Sequence, residues 1–395
     1  MTPWLERAVR RACVFASFPA LKTPIAALAL LLIAGTLFAL PAQPARAMDA
    51  YLIEPAYKDF PLQGPEKAKG LVIWNHGLFG TMTQYKYPPP LVIQGLAARG
   101  WDVVKLDRNP TYENGWTNAG QKHIARLVEE VEAAQKKGYA RIILGGQSYG
   151  GAIVLEAARR IPVYAVIAMA PNSGQDVVNG AISASWSDAI ASETYDEVRD
   201  LKTERAIFVL PTDDEFMRYV DRAPKVRELM AAKPMPFMLI DTQVHGHGGG
   251  YSRDFIPYAG CAMWFLDPAA KPKSGEFHCF HDEAAQALSA IGLNPKGASH
   301  VWFGYGAASG QEITVVQKVG TSGSVVDMGW GIGLFGKFKS GTNQQINATS
   351  ANGTLSFLSG SAAVTLHVDD SPAKFIETRS DTSPPVLATL MPLQP

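Results

Sequence analysis

The chain has 395 residues, and its 36 Lys+Arg balance 36 Asp+Glu, so the formal net charge is zero. That balance carries no electrostatic footprint for nucleic acid or for an anionic surface as partner. With 47% hydrophobic and 18% charged residues, the composition is globular, and the length suits one large domain plus a smaller one.

The first 47 residues read as a segment outside the fold. Arg7, Arg10, Arg11 and Lys22 precede the apolar run Ile25 to Leu40. Pro41 then interrupts it, and Ala45-Arg46-Ala47 supplies a small-x-small cleavage pattern. This predicts a secretory signal peptide over 1–47 and export, to the periplasm or beyond the cell. An uncleaved anchor is the alternative, but the run is slightly short for a span of about 18–20 residues. Arg10-Arg11 raises twin-arginine export, although its flanks fit that pattern poorly. No later segment is apolar and long enough to predict a membrane span. Loss of Cys13 with the signal leaves Cys261 and Cys279 in an oxidising compartment, where one disulfide is expected and two buried thiols are the alternative. Cys279 lies between His278 and His281, but no second cluster of matching spacing accompanies it, so no metal site is expected.

From 48 to 295, short continuous apolar runs alternate with amphipathic stretches. The runs are Gly70–His76, Trp101–Asp107, Arg141–Gly146, Tyr164–Pro171, Ala206–Thr212 and Pro236–Thr242. Each has the character of a strand covered on both faces. Between the second and third, Ile124, Leu127, Val128, Val131 and Ala134 recur at helical spacing, Lys136 and Lys137 occupy the last turn, and Gly138 follows as a stop. The pattern predicts an α/β fold, a mostly parallel sheet flanked by helices, with reactive groups at the carboxyl ends of the strands. From 296 to 395 the grammar changes to short β-type runs punctuated by Gly, Ser, Asn and Thr. A small all-β domain, sandwich or partial barrel, is predicted there, with the closing stretch from Ser380 extended. Trp302, Phe303, Tyr305 and Trp330 could form a stacking platform, but aromatics in a small β domain belong first to its core.

The strand at Arg141–Gly146 runs into Gly146-Gln147-Ser148-Tyr149-Gly150 and then into a helix. A G-x-S-x-G turn between strand and helix forces the serine into unfavourable φ/ψ and lifts its hydroxyl above the sheet. The N–H of Tyr149, at the helix start, then faces any developing oxyanion. A serine hydroxyl needs a base, and the base an orienting acid. Asp213 and Asp214 lie just past the strand at Ala206–Thr212. Asp214 matches the usual offset of the acid better, with Asp213 in reserve and helix capping as the structural role open to either. Past the strand at Pro236–Thr242, His247 stands in a glycine-rich loop that could bring an imidazole over the serine, with His245 as competitor. After the strand at Gly70–His76, a His76-Gly77 turn leaves the N–H of Leu78 as a second oxyanion donor beside that of Tyr149, with His76 bracing the loop.

Together, "HGLFG", "GLAARGWDVVKLDRN", "GGQSYGGA", "PTDDEF" and "GHGGG" resemble the α/β-hydrolase superfamily over about residues 50–295, and within it the serine esterases of dienelactone-hydrolase type. Many relatives carry His-Gly before the acid where this chain has "LPTDDEF", which leaves Asp213 against Asp214 open. The resemblance implies cleavage of a small-molecule or polymer-linked carboxylic ester by Ser148, His247 and Asp214, with no metal or organic cofactor. Acyl transfer or amide and peptide hydrolysis by the same residues is the alternative, and a non-catalytic binding protein on the same fold is a further one.

Overall fold

The computed structural model describes residues 51–77, 88–108, 116–172, 194–216, 222–242, 244–278, 298–320, 323–331, 333–334, 337–338, 343–370 and 372–393. The predicted signal peptide, Leu78 and Cys279 lie outside these residues. Among the described residues no helix is long and apolar enough to cross a membrane.

The first layer system is an eight-stranded sheet. Its strands are β1 (Tyr51–Pro55), β2 (Leu71–Asn75), β3 (Asp102–Arg108), β4 (Ile142–Gln147), β5 (Val163–Met169), β6 (Thr203–Val209), β7 (Pro236–Ile240) and β8 (Gly275–Glu276), in the spatial order β1-β3-β2-β4-β5-β6-β7-β8. Only the edge pair β1/β3 is antiparallel; the other pairings are parallel. All six predicted strands are present. The uniformly apolar runs of β2, β4 and β5 follow from cover on both faces, since every residue of these strands is buried. Helices α1 (Leu91–Ala98), α2 (Trp116–Lys137), α3 (Tyr149–Arg160), α4 (Arg222–Ala231) and α5 (Ile256–Phe265) provide that cover. One core joins α2, α3 and α4 to one set of strand residues, including Leu144, Val166 and Phe208. The other joins α1 and α5 to the alternate set, including Trp74, Ile143 and Ile167.

The C-terminal strands are β9 (His300–Gly306), β10 (Glu312–Gly320), β11 (Gly323–Gly331), β12 (Gly333–Leu334), β13 (Lys337–Phe338), β14 (Asn343–Ala351), β15 (Thr354–Ser359), β16 (Ala362–His367), β17 (Ala373–Thr378) and β18 (Val386–Leu393). Eight of them close an antiparallel barrel in the order β9-β10-β11-β14-β15-β16-β17-β18, and β12 pairs only with β13. The domain is therefore a closed barrel and not a sandwich. The closing stretch supplies the last strand, β18, which pairs with β9 and so removes both sheet edges. Trp302 lies in the barrel core with Ile313, Val315 and Leu390. Phe303 and Tyr305, on the same strand β9, lie instead in the core with α1 and α5. These three aromatics are buried and form no exposed platform. Gln94 on α1 donates from Nε2 to the carbonyl oxygen of Thr389 on β18 at 2.7 Å, which ties the barrel wall to the hydrolase helix.

Phe208 sits in the central strand β6 with no exposed surface. Phe208→Ala is expected to cost about 3–5 kcal/mol, through lost burial and the cavity left behind. A clear drop in the urea midpoint at unchanged m-value is the readout.

Candidate active site

Ser148 connects β4 to α3 with φ 54° and ψ −121°. A non-glycine residue rarely adopts this backbone, and it persists only where its surroundings over-determine it. Three hydrogen bonds do so. Ser148 N–H donates to Met169 O at 2.8 Å, while its own carbonyl accepts from Ala152 N–H at 3.1 Å and Asn172 N–H at 3.0 Å. The flanking glycines are steric requirements. A Cβ on Gly146 would lie 2.2 Å from Gly150 O, and one on Gly150 would lie 2.1 Å from Asn75 O and 2.5 Å from His76 O. Helix α3 therefore starts against the end of β2. Tyr149 is its first residue, so its N–H is one that no carbonyl of the same helix accepts from. This places Tyr149 beside the His76-Gly77 turn.

His247 and Asp214 lie side by side. His247 Nδ1–H donates to Asp214 Oδ2 at 2.8 Å, and the Asp214 side chain is fully buried. The two aspartates are separated by their surroundings. Asp213 pairs instead with His245 at 2.9 Å, and both side chains are more than half exposed. Burial pushes the Asp213 carboxyl up, but the Gly246 N–H and His245 outweigh it and hold the group below its usual range. The histidine loop is thus gripped by three consecutive acids, because Glu215 also accepts from His247 N–H at 2.8 Å. A fourth tie reaches the serine turn itself. Gln147, the residue before Ser148, donates from Nε2 to His247 O at 3.2 Å. Gly246 turns the loop at φ 69°. A Cβ on Gly249 or Gly250 would strike Val244 Cγ1 or Met169 Sδ at 2.4 Å, so the loop packs down only because those residues are glycine.

Behind the turn lies a buried polar layer. His76 Nδ1–H donates to Gly77 O at 2.7 Å, and its Nε2 accepts from Arg108 N–H at 3.2 Å. Arg108 Nη2 donates to His76 O at 2.5 Å, and its guanidinium lies 5.1 Å from the Tyr149 ring centroid. The Tyr149 hydroxyl and His123 Nδ1 are 2.8 Å apart. His76 thus links Gly77 to Arg108 across the turn. Arg108 and His123 are members that sequence reading missed. The available signals were a charged residue ending a fully buried strand and a histidine on the apolar side of α2, one turn before Leu127. Among the described residues no group of three His, Cys, Asp or Glu side chains could hold a metal ion. Cys261 is disulfide-bonded.

Burial, then the nearby Arg108 charge, holds His76 well below its ordinary pKa and brings His123 down to about 3. Both are neutral when folded but take up protons near pH 6.5 when unfolded. The unfolded chain then binds more protons, so stability falls as pH drops from 6.5 toward 3. His123→Gln, which cannot protonate, is expected to flatten that stretch of a melting-temperature against pH curve.

Residues 71–308, more than half of the chain, match the model of the Alpha/beta hydrolase family. No curated protein matches the chain. Among solved structures, Est1E from Butyrivibrio proteoclasticus with ferulic acid bound is 16% identical, with a TM-score of 0.37, over 55% of this chain and 93% of that one. An esterase from Pyrococcus furiosus is 15% identical, with a TM-score of 0.37, over 51% and 82%. A puromycin-hydrolyzing peptidase from Mycobacterium tuberculosis is 13% identical, with a TM-score of 0.41, over 58% and 38%. By its family match, the chain belongs to the alpha/beta hydrolase family.

Proposed function

We propose that the protein is an exported serine hydrolase that cleaves carboxylic esters through an acyl-enzyme. The observation that carries this reading is the fixed pair His247–Asp214 at 2.8 Å, fastened through Gln147 to the strained turn of Ser148. In the proposed reaction His247 takes the Ser148 proton as Oγ attacks the acyl carbon. Asp214, buried and bonded to Nδ1–H, holds the imidazole with Nε2 free to accept and stabilises the imidazolium that forms. The N–H groups of Tyr149 and Leu78 receive the oxyanion, and Arg108 and His76 steady the turn that leads to Leu78. Water then enters by the reverse sequence and releases the acid. An ester asks least of such a site, because an alkoxide is a far better leaving group than an amide nitrogen, which must take its proton from His247 before the C–N bond can break. Residues 1–47 would direct export and be removed.

Hydrolysis of 4-nitrophenyl acetate through long-chain acyl esters tests the reading. Ser148→Ala is expected to lower kcat by about 10⁶, as where the three groups act as a unit. Asp214→Asn is expected to lower it by about 10⁴, by fixing the wrong imidazole tautomer. Asp213→Asn should change it only a few-fold, because Asp213 holds an exposed neighbour. Equal turnover by wild type and Ser148→Ala, together with no labelling of wild type by a fluorophosphonate, would sink the proposal.

A further inference from the structure

We infer that Phe216 forms the wall that selects the alcohol half of the substrate, and that the enzyme favours esters of apolar alcohols, aryl or long-alkyl. The inference rests on the serine-esterase reading above. The Phe216 ring centroid lies 4.8 Å from that of His247, with the ring planes 60° apart. Phe216 is nonetheless 45% exposed. Of the other large apolar side chains exposed among the described residues, Val319, Leu358 and Leu387 lie on barrel strands and Leu62 between β1 and β2, and single exposed apolar residues of that kind need no explanation. Phe216 differs by its position. Its N–H donates to Asp214 Oδ1 at 2.9 Å, while Asp214 Oδ2 accepts from His247 at 2.8 Å. One buried carboxylate thus sets both the imidazole and the start of the phenyl side chain, and so the distance between them. Beyond His247, the position of a Cβ on Gly248 meets no atom of the described residues within 4 Å, so that residue offers no competing wall among them.

The proton path says which half of the ester meets this ring. Ser148 Oγ bonds to the acyl carbon, the bond from that carbon to the alkoxy oxygen breaks, and the proton taken from Ser148 passes from His247 to the departing alkoxy oxygen. That oxygen must lie within hydrogen-bond reach of Nε2. The carbonyl oxygen, by contrast, turns toward the N–H of Tyr149. A side chain packed on the imidazole therefore borders the alcohol and not the acyl chain. A half-exposed phenyl face gains by covering with apolar surface and gains nothing from a strongly hydrated alcohol such as a sugar.

The test uses butanoate esters of ethanol, hexanol and benzyl alcohol, beside a ladder of acyl lengths on one common alcohol. In wild type kcat/KM should be higher for the hexyl and benzyl esters than for ethyl. Phe216→Ala should erase that preference, lowering the hexyl and benzyl values about tenfold more than the ethyl value, mainly through KM, with the shape of the acyl ladder kept. Phe216→Leu, which keeps apolar bulk, should recover most of it. A flat alcohol series in wild type, a change confined to the acyl ladder, or an equal fall on every ester with a shifted pH limb would each overturn the inference, the last by showing that Phe216 acts on His247 itself. Fluorophosphonate labelling of wild type separates the two levels. Labelling with a flat alcohol series removes this inference alone, whereas no labelling removes the triad reading and this inference with it.

Discussion

How closely helix α3 can approach strand β2 governs the rest of the site. The approach is set by Gly150, whose Cβ position falls 2.1 Å from Asn75 O. No side chain fits there. Because the helix start presses on the strand end, Tyr149 reaches the His76-Gly77 turn and Ser148 is driven into a left-handed backbone. The resulting strain is held by hydrogen bonds to Met169 and Asn172, at the end of the neighbouring strand β5. The Ser148 turn is therefore a property of two adjacent strands and a helix together, not of a loop. Its rigidity is what a hydroxyl needs if it is to meet an incoming carbonyl without reorganising.

The acid side of the site is built by a second close-packing device. Asp214 is buried at the foot of the loop and spends one oxygen on His247 and the other on the backbone of Phe216. Its neighbours Asp213 and Glu215 hold Gly246 N–H and His247 N–H. Three consecutive carboxylates would repel if they faced one another. They face three different groups of one short loop, and each is answered by a donor. The exposed pair His245–Asp213 adds little energy of its own. The buried pair carries the orientation, because a displaced imidazole would take its N–H from Asp214 Oδ2 in a place water does not reach.

This division explains what the sequence could and could not disclose. Ser148 was legible because its turn must be walled by glycines at fixed offsets, and those glycines answer contacts close by in the fold. Only the offset behind the strand favoured Asp214 over Asp213, since adjacent residues share their flanking sequence and differ in which faces the interior. Arg108 and His123 escaped because their partners, His76 and Tyr149, are 32 and 26 residues away. In the barrel, the glycines of β11 and the amides of β14 hide the alternation that marks a strand. The pairing of β11 with both β10 and β14 supplies the order that propensity does not. The barrel's closure was equally hidden, since Pro384 and Pro385 announce a break just before β18 begins.

The barrel is more than an appendage in packing terms. Strand β9 alternates between two cores, with Trp302 in the barrel and Phe303 and Tyr305 among α1 and α5. The Tyr305 hydroxyl donates to Met263 Sδ on α5 at 3.3 Å, and a Cβ on Gly95 of α1 would strike both Met263 Sδ and Tyr305 Oη. Those two helices flank the site along the chain. Helix α1 comes after the turn at His76-Gly77, and α5 follows the loop of His247 through two short 3₁₀ turns. Tyr251, in the first of these turns, packs edge-on against Trp74 of β2 at 6.4 Å. Taking the barrel away would strip apolar surface from both helices at once, and a core so interrupted has no alternative packing at native density. The hydrolase scaffold and the barrel therefore share a stability, and the backbone that presents His247 is anchored in the core they hold in common.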